Sequence, residues 1–177
     1  ITKCVPKEML PIIDRPAIDY IVEEFGAAGI QDVLIISSRR KKTMEDWFDR
    51  DIELETQFAS EGETEKLRKV YPPNLKAHFV RQQEMRGTGD ALLCAKTFAG
   101  DDPVVVAFPD DIFPPIEGAP NCTAQLIATH RRTGGCAIAA ANFSGRDVSA
   151  YGVLDVRETT DGLCVQRIVE KPPRGEE

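Results

Sequence analysis

The 177-residue sequence predicts an α/β protein: a mostly parallel, Rossmann-like open sheet with helices on both faces, plus a small antiparallel strand pair near the C-terminus. Three observations predict it. Helical and strand-like periodicities alternate along most of the chain, the pattern of parallel strands joined by covering helices. Asp32-Val-Leu-Ile-Ile-Ser37 and Val104-Val-Val-Ala-Phe108 are unbroken apolar runs of strand length, suited to burial on both faces of a parallel sheet. Period-two alternation enters only late, at 151–156 and 164–169, as antiparallel strands require. The expectation is one domain over 1–177.

Each element has its own reason. Pro6 and Pro11 bracket Lys7-Glu8-Met9-Leu10, which reads as a loop. Asp14-Arg15-Pro16 starts a helix, since proline is tolerated in the first turn; Ile18, Ile21, Val22 and Phe25 recur at helical spacing, and Gly29 stops it. After the strand at 32–37, the basic turn 38–42 reads as a solvated loop or helix start. Met44, Trp47 and Phe48 define one face of a short helix, with Trp47 as a core anchor. The charged stretch 51–69 reads as one or two exposed helices interrupted near Gly62. Pro72-Pro73-Asn74 breaks the chain before a strand at 76–80. A polar turn at 81–89 leads to a helix at 90–98, with Ala91, Leu92, Ala95 and Phe98 facing inward. The central strand 104–108 follows, then a helix at 123–132 ended by Gly134-Gly135, and a strand of small residues at 136–141.

Composition narrows the function. With 22 basic and 29 acidic residues the formal charge is −7, which disfavours non-specific nucleic-acid binding because that depends on neutralising phosphates. No apolar stretch approaches the ~20 residues of a membrane span, and no signal peptide is read at the N-terminus. Five cysteines lie scattered without a Cys-x-x-Cys pair, so they read as small buried hydrophobes in a reducing cytoplasm rather than as disulfides or zinc ligands. His78 and His130 stand alone and read as structural or surface residues.

Polar residues gather where loops follow strands. Asp110 and Asp111 close the central run, where open α/β sheets collect ligands and where a carboxylate pair suits a divalent cation. Lys7, the turn holding Gln82 and Gly87-Thr-Gly89, Gly152 beside Tyr151, and Glu170-Lys171-Pro172 complete five loop-borne parts. Lysines and glycine-rich turns suit phosphate, and a glutamine can read a base edge with one donor and one acceptor. Singly, each is equally a plain turn, cap or solvated charge.

Their wording and order are more specific. Pro6-Lys-Glu-Met-Leu-Pro11, Arg86-Gly-Thr-Gly-Asp-Ala91, Phe108-Pro-Asp110, Ala150-Tyr-Gly-Val153 and Val169-Glu-Lys-Pro172 together resemble the bacterial UTP–glucose-1-phosphate uridylyltransferases (UDP-glucose pyrophosphorylases), in the same order and across essentially the whole chain. The resemblance implies an enzyme that joins UTP and glucose 1-phosphate into UDP-glucose and pyrophosphate by direct displacement assisted by Mg²⁺. It implies that Lys7 contacts nucleotide phosphates, Gln82 and Gly87 recognise uracil, and Asp110 binds Mg²⁺. It further implies that Gly152 leaves room for the sugar, Glu170 accepts from sugar hydroxyls, and Lys171 holds the sugar phosphate. Lys7, Asp110 and Lys171 would be the catalytic set. A homo-oligomer is implied as well, with no nucleic-acid or membrane partner.

The chain departs from the family pattern at Thr88 and Asp90, where leucine and histidine are common; Asp90 would either face the nucleotide or cap the helix. The family's Gly-x-Gly-Thr-Arg loop and first strand would precede Ile1, and its last elements with a second metal-binding aspartate would follow Glu177. The expectation is therefore a partial domain, poorly stable or prone to associate. Two rival readings remain open at this point: a related transferase using dTTP, and a non-catalytic nucleotide-sugar-binding or assembly domain.

Overall fold

The computed structural model describes residues 5–143, 147–160 and 162–173, so Cys4 lies outside the described residues. It divides into two units, 1–124 and 125–177. The first is α/β with a parallel strand pair; the second carries the antiparallel pair. The α/β expectation with its late antiparallel hairpin holds.

The first unit opens with a 3-10 turn, Lys7–Met9, and a hairpin of two-residue strands, β1 (Pro11–Ile12) and β2 (Arg15–Pro16), where the sequence reads as loop up to Pro11 and as a helix start at 14–16. Helix α1 (Ala17–Ala27) follows directly, with Ile18, Val22 and Phe25 buried at spacings of four and three. Tyr20 donates from its hydroxyl to the Ile12 carbonyl at 2.7 Å, and the Arg15 guanidinium lies 4.0 Å over the Tyr20 ring, so the hairpin is fastened to the helix it introduces. The helix ends as its glycine predicts: Gly29 takes φ 88°, its N–H bonds Gly26, and the Ile30 N–H reaches back to Phe25, which satisfies the last carbonyls.

Strand β3 (Asp32–Ser37) pairs in parallel with β4 (Lys76–Arg81), in register from Asp32 opposite Lys76 to Ser37 opposite Arg81. Between them run α2 (Lys42–Phe48), α3 (Ile52–Glu61) and α4 (Thr64–Val70), the right order for a covered crossover. Asp51 caps α3 by accepting from the Leu54 N–H, and Gly62 in the left-handed region separates α3 from α4, which fixes the expected interruption. The core gathers Ile18, Val22 and Phe25 of α1, Val33 and Ile35 of β3, and Met44 of α2, with Trp47 and Phe79 packed against it. Each such buried side chain contributes about 1.5–3 kcal/mol. The expected single helix at 90–98 is two short ones, α5 (Thr88–Leu93) and α6 (Lys96–Ala99); Ala91 and Ala95 are half-buried, whereas Leu92 and Phe98 are exposed.

Two expected strands are not formed among the described residues. Residues 103–108 run without a ladder, and Val104, Val106 and Phe108 are 58%, 44% and 45% exposed; only Val105 joins the core. The run 136–141 is likewise unpaired and mostly exposed. An apolar run states tolerance for burial, but a strand also needs a neighbour at hydrogen-bonding distance, which no local pattern supplies.

Helix α7 (Cys122–Thr133) begins in the first unit, where Asn121 caps it by accepting from the Ala124 N–H at 2.8 Å and Gly134 at φ 69° closes it. Glu24 of α1 accepts from both the N–H and the hydroxyl of Thr123, each at 2.7 Å, so the start of α7 is bonded to α1. In the second unit β5 (Gly152–Thr159) and β6 (Gly162–Glu170) form a hairpin with one irregularity between Asp155 and Val156. Tyr151 stacks on Phe143 with ring centres 5.7 Å apart.

The histidines behave as expected. His78 lies 3.5 Å from an Asp32 oxygen and against the Phe98 ring, and the His130 Nδ1 lies 2.8 Å from the Gly135 carbonyl. The cysteines do not: Cys94 and Cys122, at helix ends, are only half-buried, and Cys136 in the unpaired run and Cys164 in the later hairpin are exposed. All four are free thiols.

Candidate active site

The first group of polar side chains starts at the 3-10 turn. Pro6 holds the entry at φ −57°, and the Met9 and Leu10 N–H groups close back on Pro6 and Lys7. Glu8 is the anchor: 1% exposed, it accepts from the Lys41 ammonium at 2.6 Å. With Glu8 directed inward, the adjacent Lys7 is directed out, where its Nζ meets Asp110 Oδ2 at 2.9 Å. Lys41 belongs to the basic turn that reads from sequence as merely solvated. Its role has no local signal, because its partner lies 33 positions away.

Lys7 and Asp110 are 57% and 62% exposed, so their attraction adds little to stability, about 0–1 kcal/mol. Its effect is on protonation. The hydrogen bond from Lys7 holds the Asp110 carboxyl below the usual range, against slight burial, and the same bond holds Lys7 above its ordinary value. Asp111 adds to the negative field on Lys7. Because Asp110 titrates lower than usual and Lys7 higher, the pair is fully charged from mildly acid to mildly alkaline pH.

Among the described residues no group of three His, Cys, Asp or Glu side chains is placed to form a protein-only metal cage. Asp110 and its neighbour Asp111 fit the other common arrangement, in which a hard divalent cation takes one or two carboxylates and completes its shell with substrate phosphates and water.

The second group lies just past β4. The Gln82 N–H donates to the Ser37 carbonyl at 3.0 Å, extending the parallel ladder by one bond. Its side-chain Nε2 donates to Asp90 Oδ2 at 2.8 Å and to the Gly87 carbonyl at 3.2 Å. The sequence offers one donor and one acceptor on this glutamine; in the turn both amide hydrogens are engaged. Gly87 has φ 100° and ψ 178°, a combination accessible essentially to glycine alone. Asp90 bonds Gln82 through its side chain.

The third group is in the second unit. Gly152 and Glu170 are directly opposed in the hairpin, and a Cβ at 152 would come within 3.2 Å of Glu170 Oε2, so the glycine makes room for the carboxylate. The Lys171 N–H donates to the Tyr151 carbonyl at 2.9 Å, its ammonium lies 3.3 Å from Glu170, and its backbone sits at φ 48°. A lysine in the left-handed region is strained. Lys7, Gln82, Gly87 and Asp110 thus belong to the first unit and Gly152, Glu170 and Lys171 to the second. A surface cavity of about 390 Å³ lined by Asp46, Asp49, Arg50, Asp51, Ile52 and Glu53 includes none of them.

The nucleotidyl transferase family profile matches residues 1–177. The chain belongs to the nucleotidyl transferase family. Within it, the chain is 42% identical over 175 residues to a UTP–glucose-1-phosphate uridylyltransferase of Streptococcus pneumoniae, matching 97% of this chain and 58% of that protein. It is 39% identical over 178 residues to the Bacillus subtilis enzyme of the same name, matching 98% of this chain and 60% of that protein. The chain thus spans about 58–60% of the length of these curated relatives. Its fold is similar to a UTP-bound UGPase from Acinetobacter baumannii, with a TM-score of 0.84 and 32% identity over 99% of this chain and 63% of that one. A UDP-glucose pyrophosphorylase complexed with UDP-glucose gives 0.79 and 30% identity over 96% of this chain and 62% of that one.

Proposed function

We propose that this nucleotidyl transferase chain carries the substrate-contacting residues of a UTP–glucose-1-phosphate uridylyltransferase acting in the cytoplasm. The observation that carries the reading is the 2.9 Å pairing of Lys7 with Asp110, a cation and a carboxylate 103 positions apart. A magnesium–triphosphate group has complementary charges: Lys7 would attract its phosphates and Asp110 would hold its cation. Free thiols at Cys94, Cys122, Cys136 and Cys164 support a reducing compartment. No helix among the described residues is long and apolar enough to cross a membrane.

In the mechanism, Lys7 binds the nucleotide phosphates and offsets their charge, and the turn of Gln82 and Gly87 receives the base. Asp110, with Asp111 beside it, would hold Mg²⁺, which supplies charge neutralisation and orientation to the triphosphate. Glu170 accepts from sugar hydroxyls, Gly152 keeps space for that carboxylate, and Lys171 holds the phosphate of glucose 1-phosphate. An oxygen of that phosphate attacks the α-phosphorus of UTP; the new P–O bond forms as the bond to the β-phosphate oxygen breaks, and pyrophosphate leaves. The enzyme forms no covalent bond, and its contribution is orientation and charge.

Isothermal titration with UDP-glucose and Mg²⁺ tests the reading, beside Asp110→Ala. Saturable binding weakened roughly tenfold or more in the variant is expected, since hydrogen bonds and ion contacts to charged groups contribute about 1.5–3 kcal/mol. No binding by a chain whose circular dichroism shows it folded would overturn the proposal.

A further inference from the structure

The turn after β4 has a property that composition and motif do not reveal. Gln82 Nε2 carries two hydrogens, and two acceptors face it: Asp90 Oδ2 at 2.8 Å and the Gly87 carbonyl at 3.2 Å. An ionised carboxylate and a peptide carbonyl can only accept. Turning the amide over would set its oxygen against both, so this contact fixes which end is nitrogen. The donor capacity of Gln82 is then filled, and Oε1 is the atom left for a ligand. Main-chain pinning by the Ser37 carbonyl and the half-buried setting of both side chains hold the arrangement in place.

We propose that Asp90 is a positioning residue that locks the Gln82 amide as a pure acceptor, and thereby favours, among pyrimidine nucleotides, those bearing an imide N–H over those of cytosine. The inference rests on the nucleotide-binding reading above and deepens it. Uracil and thymine present N3–H to such an acceptor. Cytosine presents an unprotonated N3, so two acceptors would face each other, which a desolvated site penalises strongly. Asp90 reads no base itself. It acts by denying Gln82 the inverted orientation that would offer NH₂ to cytosine. Asparagine at 90 keeps the size but can present either its oxygen or its NH₂, so it loosens the lock, leaving only the longer 3.2 Å contact to the Gly87 carbonyl to oppose the inverted amide.

The test compares UTP and CTP binding, each with Mg²⁺, to the full chain, Asp90→Asn and Asp90→Glu. It is joined by NMR of the Gln82 side-chain amide, assigned from the signals lost in Gln82→Ala. Wild type is expected to favour UTP and to show a Gln82 NH₂ protected from solvent exchange. Asp90→Asn should lose that protection and roughly tenfold of the UTP/CTP preference, the effect of one hydrogen bond; Asp90→Glu should recover part of both. A merely structural aspartate would lower affinity for both nucleotides alike. An unchanged UTP/CTP ratio in Asp90→Asn, or a Gln82 amide equally protected there, overturns the inference while leaving the nucleotide reading intact. Binding of neither nucleotide by folded wild type overturns that reading and this inference with it.

Discussion

Lys171 shows the conflict between stability and chemistry at the scale of one residue. Its φ of 48° places a branched-free but bulky side chain in a region that costs roughly 1–2 kcal/mol for an L-residue. Strain of this kind persists where the surroundings impose it, and it clusters at functional positions. Here the Lys171 N–H is tied to Tyr151 and its ammonium lies beside Glu170. Lys171→Gly relieves the strain but gives the unfolded chain more freedom, which takes back about 0.4–1 kcal/mol. The expected outcome in urea denaturation is a gain of about 0.5 kcal/mol, together with weaker UDP-glucose binding. A loss of stability would show that the lysine side chain, not ligand chemistry, holds the bend. The motif around Lys171 was legible in the sequence; its strain was not, because φ is set by the hairpin end and by the bond to Tyr151.

Elements whose ends are decided locally were read well. α1 stops at Gly29, α3 at Gly62 and α7 at Gly134, each a glycine in the left-handed region whose consequence is confined to one turn. The hairpin of β1 and β2 carries no strand signal, since each strand has only two residues and one of them is proline. Lys41 was missed for the opposite reason: its partner Glu8 is remote. The contact of α1 with α7 is also non-local and carries a prediction. Glu24 satisfies the N–H and hydroxyl of Thr123, which is 3% exposed. Glu24→Ala leaves both without that acceptor and should destabilise by about 2 kcal/mol, while Glu24→Gln, which keeps an oxygen there, should cost less than half as much. Burial, with the Glu24 charge added, also pushes the Cys122 thiol up, so its thiolate is scarce at neutral pH. In Glu24→Ala, alkylation of Cys122 followed by mass spectrometry should accelerate. Equal stability of Ala and Gln variants would show that the carboxylate's hydrogen bonds to Thr123 do not hold the start of α7.

At the scale of the whole molecule, the sequence conveyed the α/β class and the order of motifs but overcounted the strands. The run 104–108 has the composition of a central strand, yet among the described residues it makes no ladder, and three of its large apolar side chains stand exposed. The ladder of β3 with β4 is different: it is in parallel register along six residue pairs, backed by α1 and α2, and extended by the Gln82 bond to Ser37. Amide exchange separates the two. Ladder amides open only with the surrounding core, whereas an unpaired extended run exchanges through fluctuations that cost little. Bonded amides of β3 and β4 should therefore exchange roughly a thousandfold or more slowly than those of Val104, Val105 and Val106, a gap of about 4 kcal/mol. Exposed apolar side chains on an unpaired edge also favour pairing with a second copy. Exchange should therefore be measured over a dilution series. Slow exchange at 104–106 that persists at the lowest concentration would mean that the run is paired within a single chain and would contradict the topology described. Protection that appears only as concentration rises would instead identify the run as the edge through which copies associate, and would explain why a strand-like sequence stands open in one chain.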